Sequence, residues 1–188
     1  YKDLTFDELM ARHDDNGDIN DINSIMLSAN EDEKKVDRIG AVLIIDDEPS
    51  NLEILSKNLI NSHHEVFAVS SAKEAGALLE NNKNIDVILL DLIMPEINGI
   101  EYLKTLKSSG DTFSIPVIML SALDEVDAIV DCINIGAEDF LMKPVNRVLL
   151  NARLNNALEK KHYRDKERKY QEKIQEEQKR SDNLLLNI

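Results

Sequence analysis

Three acidic residues and a fourth set apart from them fall where short apolar runs end. Asp46-Asp47-Glu48 closes the run Ala41–Ile45, and Asp91 closes the run Asp86–Leu90. Any one of these acids alone would read as a solvated loop residue. Brought together, carboxylates repel by roughly 4 kcal/mol per close pair at an effective dielectric near 20, so the cluster implies a counter-ion. Oxygen-only ligands suit a hard cation, and Mg²⁺ is the one that keeps waters and binds through one or two carboxylates plus phosphate. The run Pro116–Leu120 is followed by Ser121, a hydroxyl able to donate to a phosphoryl oxygen. The run Asp139–Met142 is followed by Lys143-Pro144, a cation and then a residue that fixes a turn. Acids, hydroxyl and lysine at four such ends make a phosphoryl-transfer site, in which metal and lysine neutralise charge on the transferring group.

The elements that must position these groups are legible in two alternating periodicities. Short apolar runs at Ala41–Ile45, Glu65–Val69, Asp86–Leu90, Pro116–Leu120 and Asp139–Met142 read as strands. The first, third and fourth show no in/out alternation, as expected of strands buried on both faces. Between them lie the amphipathic stretches Asn51–Ser62, Ala72–Glu80, Ile100–Lys107 and Asp124–Ile135. Ser71-Ala72-Lys73-Glu74 is a capping box, and Asn98-Gly99 and Gly110 punctuate the third helix. Five strand–helix alternations predict an α/β, doubly wound, five-stranded parallel sheet. In such a sheet ligands bind at the carboxyl ends of the strands, where the acids lie.

Composition sets the bounds. The 188 residues suit one compact domain plus extras, with 43% hydrophobic residues but only 4% aromatic, so the core must be aliphatic. No run approaches the roughly 20 apolar residues of a membrane-spanning helix, and no charged-then-apolar leader opens the chain. The first residue is Tyr1 and not Met, which reads as a piece of a longer protein. The single cysteine, Cys132, excludes an intramolecular disulfide and suits a reducing cytoplasm. A net charge of −14 argues against nucleic acid as a partner. Residues 1–39 are polar and acidic and read as a linker with a short helix opened by Thr5-Phe6-Asp7-Glu8. Asp14-Asp15-Asn16-Gly17-Asp18 is a turn, not a calcium loop, because Arg12 and Asn23 fall where that loop needs acids.

The motifs Ile44-Ile45-Asp46-Asp47-Glu48, Leu90-Asp91-Leu92-Ile93-Met94-Pro95, Asn98-Gly99, Ile118-Met119-Leu120-Ser121-Ala122, Gly136-Ala137 and Asp139-Phe140-Leu141-Met142-Lys143-Pro144 stand in the order and spacing of response-regulator receiver domains. Residues 40–145 resemble that family of two-component signalling, which implies a flavodoxin-like fold and Asp91 as phosphoacceptor. The resemblance further implies that Asp47 binds Mg²⁺ directly, Asp46 directly or through water, and that the Ile93 carbonyl completes the protein ligands beside Asp91. Ser121 becomes the switch hydroxyl, Lys143 the phosphoryl-binding cation and Phe140 the rotating aromatic, here without a phenolic hydroxyl. Lys143-Pro144 looks like the family's cis peptide. Ile93 and Leu123 flank the path of the hydrolytic water in such domains; both are apolar, which implies a long-lived phosphorylated state. The phosphodonor is expected to be a histidine kinase or a phosphotransfer protein.

From Asn146 to Ile188 the chain has no Gly or Pro, and its 11 basic residues outnumber 7 acidic ones. We read one fifth helix that continues beyond the domain as a coiled-coil signalling helix. Leu149, Asn156, Tyr163, Tyr170, Glu177 and Leu184 recur at heptad spacing, with Arg153, Lys160, Glu167, Ile174, Ser181 and Ile188 at the companion position. So polar a seam predicts a marginal parallel homodimer through residues 146–188, or failing that a single solvated helix or a disordered end. Arg180-Ser181-Asp182-Asn183-Leu184-Leu185-Leu186-Asn187-Ile188 resembles the segment leading into class III adenylate or guanylate cyclase domains. The expected C-terminal output is therefore such a cyclase; a diguanylate cyclase, a phosphatase or a kinase are the alternatives. A haloacid-type hydrolase fits less well, because its nucleophile would sit in an Asp-x-Asp run on the first strand.

Overall fold

The structure is a computed structural model that describes residues 39–82, 84–122 and 126–185. The N-terminal capping box and turn, Leu123, Asp124 and the final residues 186–188 lie outside the described residues. Five strands alternate with five helices: β1 Ala41–Ile45, α1 Pro49–Asn61, β2 Glu65–Val69, α2 Ala72–Asn81, β3 Val87–Asp91, α3 Gly99–Ser108, β4 Val117–Ser121, α4 Val126–Ile135, β5 Asp139–Met142 and α5 Arg147–Leu185. All pairings are parallel, in the order β2-β1-β3-β4-β5. The expected parallel five-stranded fold is thus the one found.

Strand order explains the burial that the sequence hinted at. The three runs without alternation, β1, β3 and β4, are the interior strands and are buried throughout, while β2 and β5 are the part-exposed edges. Successive residues of an interior strand feed opposite cores. Leu43, Ile45, Ile88, Leu90, Val117 and Met119 pack with Ala75 of α2, Leu103 and Leu106 of α3 and Cys132 of α4. Val42, Ile44, Val87, Leu89, Ile118 and Leu120 pack with Leu55 and Leu59 of α1 and with Leu150, Leu154 and Leu158 of α5.

Boundaries differ from expectation by a residue or two, each for a local reason. Pro49 stands at the start of α1, where its fixed φ suits the first turn and its missing N–H costs nothing, so the helix begins before Asn51. Ser71 caps α2 by accepting from the Glu74 N–H, and Glu74 reaches back to the Ser70 N–H. Asn98 caps α3 by accepting from the Ile100 N–H, which brings Gly99 into the helix. Asp91 and Ser121 are the last residues of β3 and β4 rather than the residues after them.

At the end of α1 the His63 N–H donates to Ile60 and the His64 N–H to Leu59, a Schellman closure. His63 therefore occupies the left-handed region, with φ of 66°, in a place that glycine fills without a Cβ penalty. His63 is exposed, so little packing is lost on truncation. His63→Gly is expected to stabilise the domain by about 0.5–1 kcal/mol. A thermal melt checks it: an unchanged or lower midpoint would show that the backbone at this turn is not under the constraint inferred.

Asn146 caps α5 by accepting from the N–H groups of Val148 and Leu149. The helix is 39 residues long, about 58 Å at 1.5 Å per residue. Leu150, Leu154, Ala157, Leu158 and Lys161 are buried on the domain. From Lys166 to Arg180 every side chain is exposed except the half-buried Ile174. No helix among the described residues is long and apolar enough to cross a membrane.

Candidate functional site

The order β2-β1-β3-β4-β5 sets the carboxyl ends of β1, β3 and β4 side by side, and the chemistry-bearing residues lie there. Asp46 directly follows β1 and is fully buried. Its Oδ1 accepts from the Glu48 N–H at 2.9 Å, and the Asn51 amide lies 3.1 Å from both of its oxygens. Asp91 ends β3 and is also buried. Lys143, after β5, bridges the two: its Nζ stands 2.9 Å from Asp46 Oδ2 and 2.7 Å from Asp91 Oδ1. The Lys143–Pro144 peptide is cis, as the resemblance implied.

The electrostatics follow from this bridge. Burial pushes the Asp91 carboxyl above its ordinary pKa, with the Asp46 charge adding to the rise and Lys143 opposing both. Burial alone would lower the Lys143 ammonium, but the carboxylates of Asp91 and Asp46 outweigh it and hold it above its ordinary value. The counter-ion demanded by clustered carboxylates is thus partly built into the chain.

Asp47 is exposed beside this pair. Asp46, Asp47 and Asp91 each offer one carboxylate oxygen, and these oxygens lie within 4.8 Å of one another. Three hard oxygens at that spacing fit a cation such as Mg²⁺. Asp47 is the acid of the three that Lys143 does not reach, so its repulsion is the least compensated. Asp47→Asn is expected to raise the metal-free melting temperature by roughly 2–4 °C, for relief on the order of 1 kcal/mol, and to diminish the further rise that added Mg²⁺ produces. A metal-free variant that melts below the parent would count against the repulsion.

The other expected residues are less tightly gathered. Ser121 is buried at the end of β4, and its hydroxyl donates to the Ala122 carbonyl at 3.0 Å. Phe140 is half-buried on β5, packed against the core on the α2–α3–α4 side. The Ile93 side chain faces solvent, 64% exposed.

Two residues act on the site in ways the sequence did not announce. Asn51, in the first turn of α1, holds both oxygens of Asp46 and also Glu48 Oε2; the only signal was its place five residues beyond Asp46. Gly99 lies directly behind Asp91, and a Cβ there would come 2.2 Å from the Asp91 carbonyl oxygen.

This geometry agrees with what is known of other proteins. The sequence profile of the response regulator receiver domain matches residues 42–155. The two-component response regulator ORR5 of Oryza sativa subsp. japonica is 41% identical over 112 residues, 58% of this chain and 84% of that protein. ORR3 of Oryza sativa subsp. indica is 38% identical over 104 residues, 55% of this chain and 79% of that one. Among solved structures, a response regulator receiver domain protein from Clostridium thermocellum superposes with a TM-score of 0.63 at 30% identity, covering 66% of this chain and 98% of its own. The receiver domain of a signal transduction histidine kinase from Syntrophus aciditrophicus gives 0.59 at 32% identity, covering 64% and 90%. With strand order, buried acids and bridging lysine all in agreement with that match, this chain belongs to the response regulator receiver family of two-component signalling.

Proposed function

We propose that this chain is a phosphorylation-driven switch: Asp91 takes a phosphoryl group from a histidine kinase or phosphotransfer protein, and α5 carries the change to a C-terminal output. The observation that carries this reading is the Lys143 ammonium shared between buried Asp46 and Asp91 at the strand ends. Receiver domains as a class take phosphate from such donors and bind Mg²⁺ through acidic clusters of this kind. Mg²⁺ held by Asp46, Asp47, Asp91 and the Ile93 carbonyl would neutralise charge on the transferring group.

An Asp91 carboxylate oxygen attacks phosphorus while the phosphorus–nitrogen bond to the donor imidazole breaks. The electron pair of that bond stays on the imidazole, which takes up a proton, and Asp91 becomes an acyl phosphate. The role of Lys143 in this reading is to hold the new anionic oxygens; its Nζ lies 2.7 Å from Asp91 Oδ1. The Ser121 hydroxyl gives up the Ala122 carbonyl and donates to the phosphoryl group, and Phe140 turns into the space vacated. Hydrolysis of the acyl phosphate resets the switch. The single buried Cys132 suits a reducing cytoplasm as the place of action.

The output reading rests on α5. The helix runs unbroken from the domain to Leu185, and Tyr163 and Tyr170 stand 59% and 65% exposed at heptad spacing. A second copy of the chain would cover them in a parallel homodimer. Its polar seam keeps competing registers within a few kcal/mol, close enough for a phosphoryl group to choose between them. Residues 1–39 then form a linker, 40–145 the receiver and 146–188 its extended helix, and the output is a class III adenylate or guanylate cyclase. The coding sequence beyond Ile188 decides between that output and another.

Spin labels at Gln171 and Gln178, in a Cys132-replaced background, are expected to report inter-chain distances that shift when beryllium fluoride and Mg²⁺ are added. A monomer at tens of micromolar with and without the phosphoryl mimic would refute the coiled coil. A dimer with unchanged distances would refute only the change of register.

A further inference from the structure

Helix α5 leaves the domain at the end of the sheet opposite the carboxylates, and one acid stands at its exit. Glu138 immediately precedes β5, with its backbone N–H donating to the Val117 carbonyl at the start of β4. Its side chain is only 13% exposed and both oxygens are occupied: Lys160 Nζ is 2.7 Å from Oε1, and Arg164 Nη2 is 3.0 Å from Oε2. Lys160 and Arg164 are one helical turn apart. They flank the point where burial stops, between Lys161 and the exposed Tyr163. Asp139, the next residue, takes Arg153 at 2.9 Å two turns earlier on α5.

Beyond this turn the pattern of charges changes. Among the described residues, the ion pairs of Asp165 and Glu172 are with neighbours three or four positions away on α5 itself. Glu138 thus makes the last ion pairs that tie α5 to the domain. Burial acts against ionisation of Glu138, but Lys160 and Arg164 outweigh it and hold its carboxyl below the ordinary range.

The geometry points to Glu138 as the anchor that sets the direction in which α5 leaves the domain, a positioning residue for signal transmission rather than for phosphoryl chemistry. Its two partners grip one carboxylate from successive turns, so the helix can neither roll nor tilt there without breaking one bond. A consequence follows for the dimer, and it rests on the reading proposed above. Arg153 and Lys160 occupy companion heptad positions but are held by Asp139 and Glu138 within the same chain. The seam between copies therefore begins at Tyr163 and not at Leu149.

Ion pairs with exposed partners contribute little to global stability, so helix direction and not melting temperature is the informative readout. A label on α3 at Lys104 and another on α5 at Gln171, with Cys132 replaced, give that direction as a distance. Excess unlabelled protein restricts the measurement to pairs within one chain. The parent is expected to give a narrow distribution; Glu138→Lys is expected to give one roughly twofold broader or displaced, with Glu138→Gln in between. Reversing the pairs, Glu138→Lys with Lys160→Glu and Arg164→Glu, is expected to restore the narrow distribution, which a loss of packing alone would not allow. Phosphate uptake from acetyl phosphate should remain at the parental level in all variants, which separates this proposal from the assignment of Asp91. A Glu138→Lys distribution superposable on the parent's, or a reversed set that stays broad while still taking up phosphate, would overturn the anchor.

Discussion

Replacement of Asp91 by Asn is expected to abolish phosphate uptake. Incubated with Mg²⁺ and acetyl phosphate, the parent should gain the mass of one phosphoryl group on Asp91, in a form released by hydroxylamine. An amide at this position has almost the same volume, so the fold should survive. It lacks the anionic oxygen that attacks phosphorus, and it cannot form an acyl phosphate. Removing the charge also relieves a buried carboxylate that sits next to Asp46, while Lys143 keeps Asp46 as a partner. The variant should therefore melt near or above the parent and still take up nothing. Stoichiometric, hydroxylamine-sensitive phosphate on Asp91→Asn would remove Asp91 from the role assigned to it.

Gly99→Ala is expected to damage both stability and chemistry. The added Cβ would stand 2.2 Å from the Asp91 carbonyl oxygen, 2.9 Å from Leu92 Cα and 3.0 Å from the Leu92 carbonyl oxygen. All three are backbone atoms, which cannot swing aside as a side chain would. The Gly99 N–H also donates to the Leu92 carbonyl, so the two segments are tied where they would be forced apart. Overpacking of this kind costs about 1–3 kcal/mol. The segment that must yield carries Asp91, and a displacement of about 1 Å at a reacting group can cost on the order of 10²-fold in rate. Gly110→Ala is the control, since a Cβ there meets nothing within 4 Å. If Gly99→Ala melts and takes up phosphate as Gly110→Ala does, the close approach behind Asp91 is not a constraint on the site.

What could be read from the sequence, and what could not, divides along physical lines. The interior strands were legible because burial on both faces leaves an unbroken apolar run. The acids were legible because they end those runs, and a parallel sheet brings such ends together. Lys143 was legible as a cation near the site, but not as a bridge between Asp46 and Asp91, because strand order places it and no local pattern does. Asn51 carries no signal of its own: one amide in a helix's first turn looks like any other polar residue until Asp46 is seen beneath it. His63 hides a left-handed turn because the residue there is not glycine, the usual mark of that conformation. Glu138 sits among many acids, and only the path of α5 distinguishes it.

On the proposed function, the placement of α5 would make the domain a lever with its load and its trigger at opposite ends. A change at Asp91 must cross the length of β5, about 13 Å for four residues, before it reaches the turn held by Glu138. From Tyr163 to Leu185 the helix then extends about 33 Å without a glycine or proline to act as an elbow. A tilt of about 10° at the fulcrum sweeps the far end through roughly 6 Å. On the proposed function, small displacements at Asp91 would thus arrive at Leu185 magnified to the scale of a helical turn.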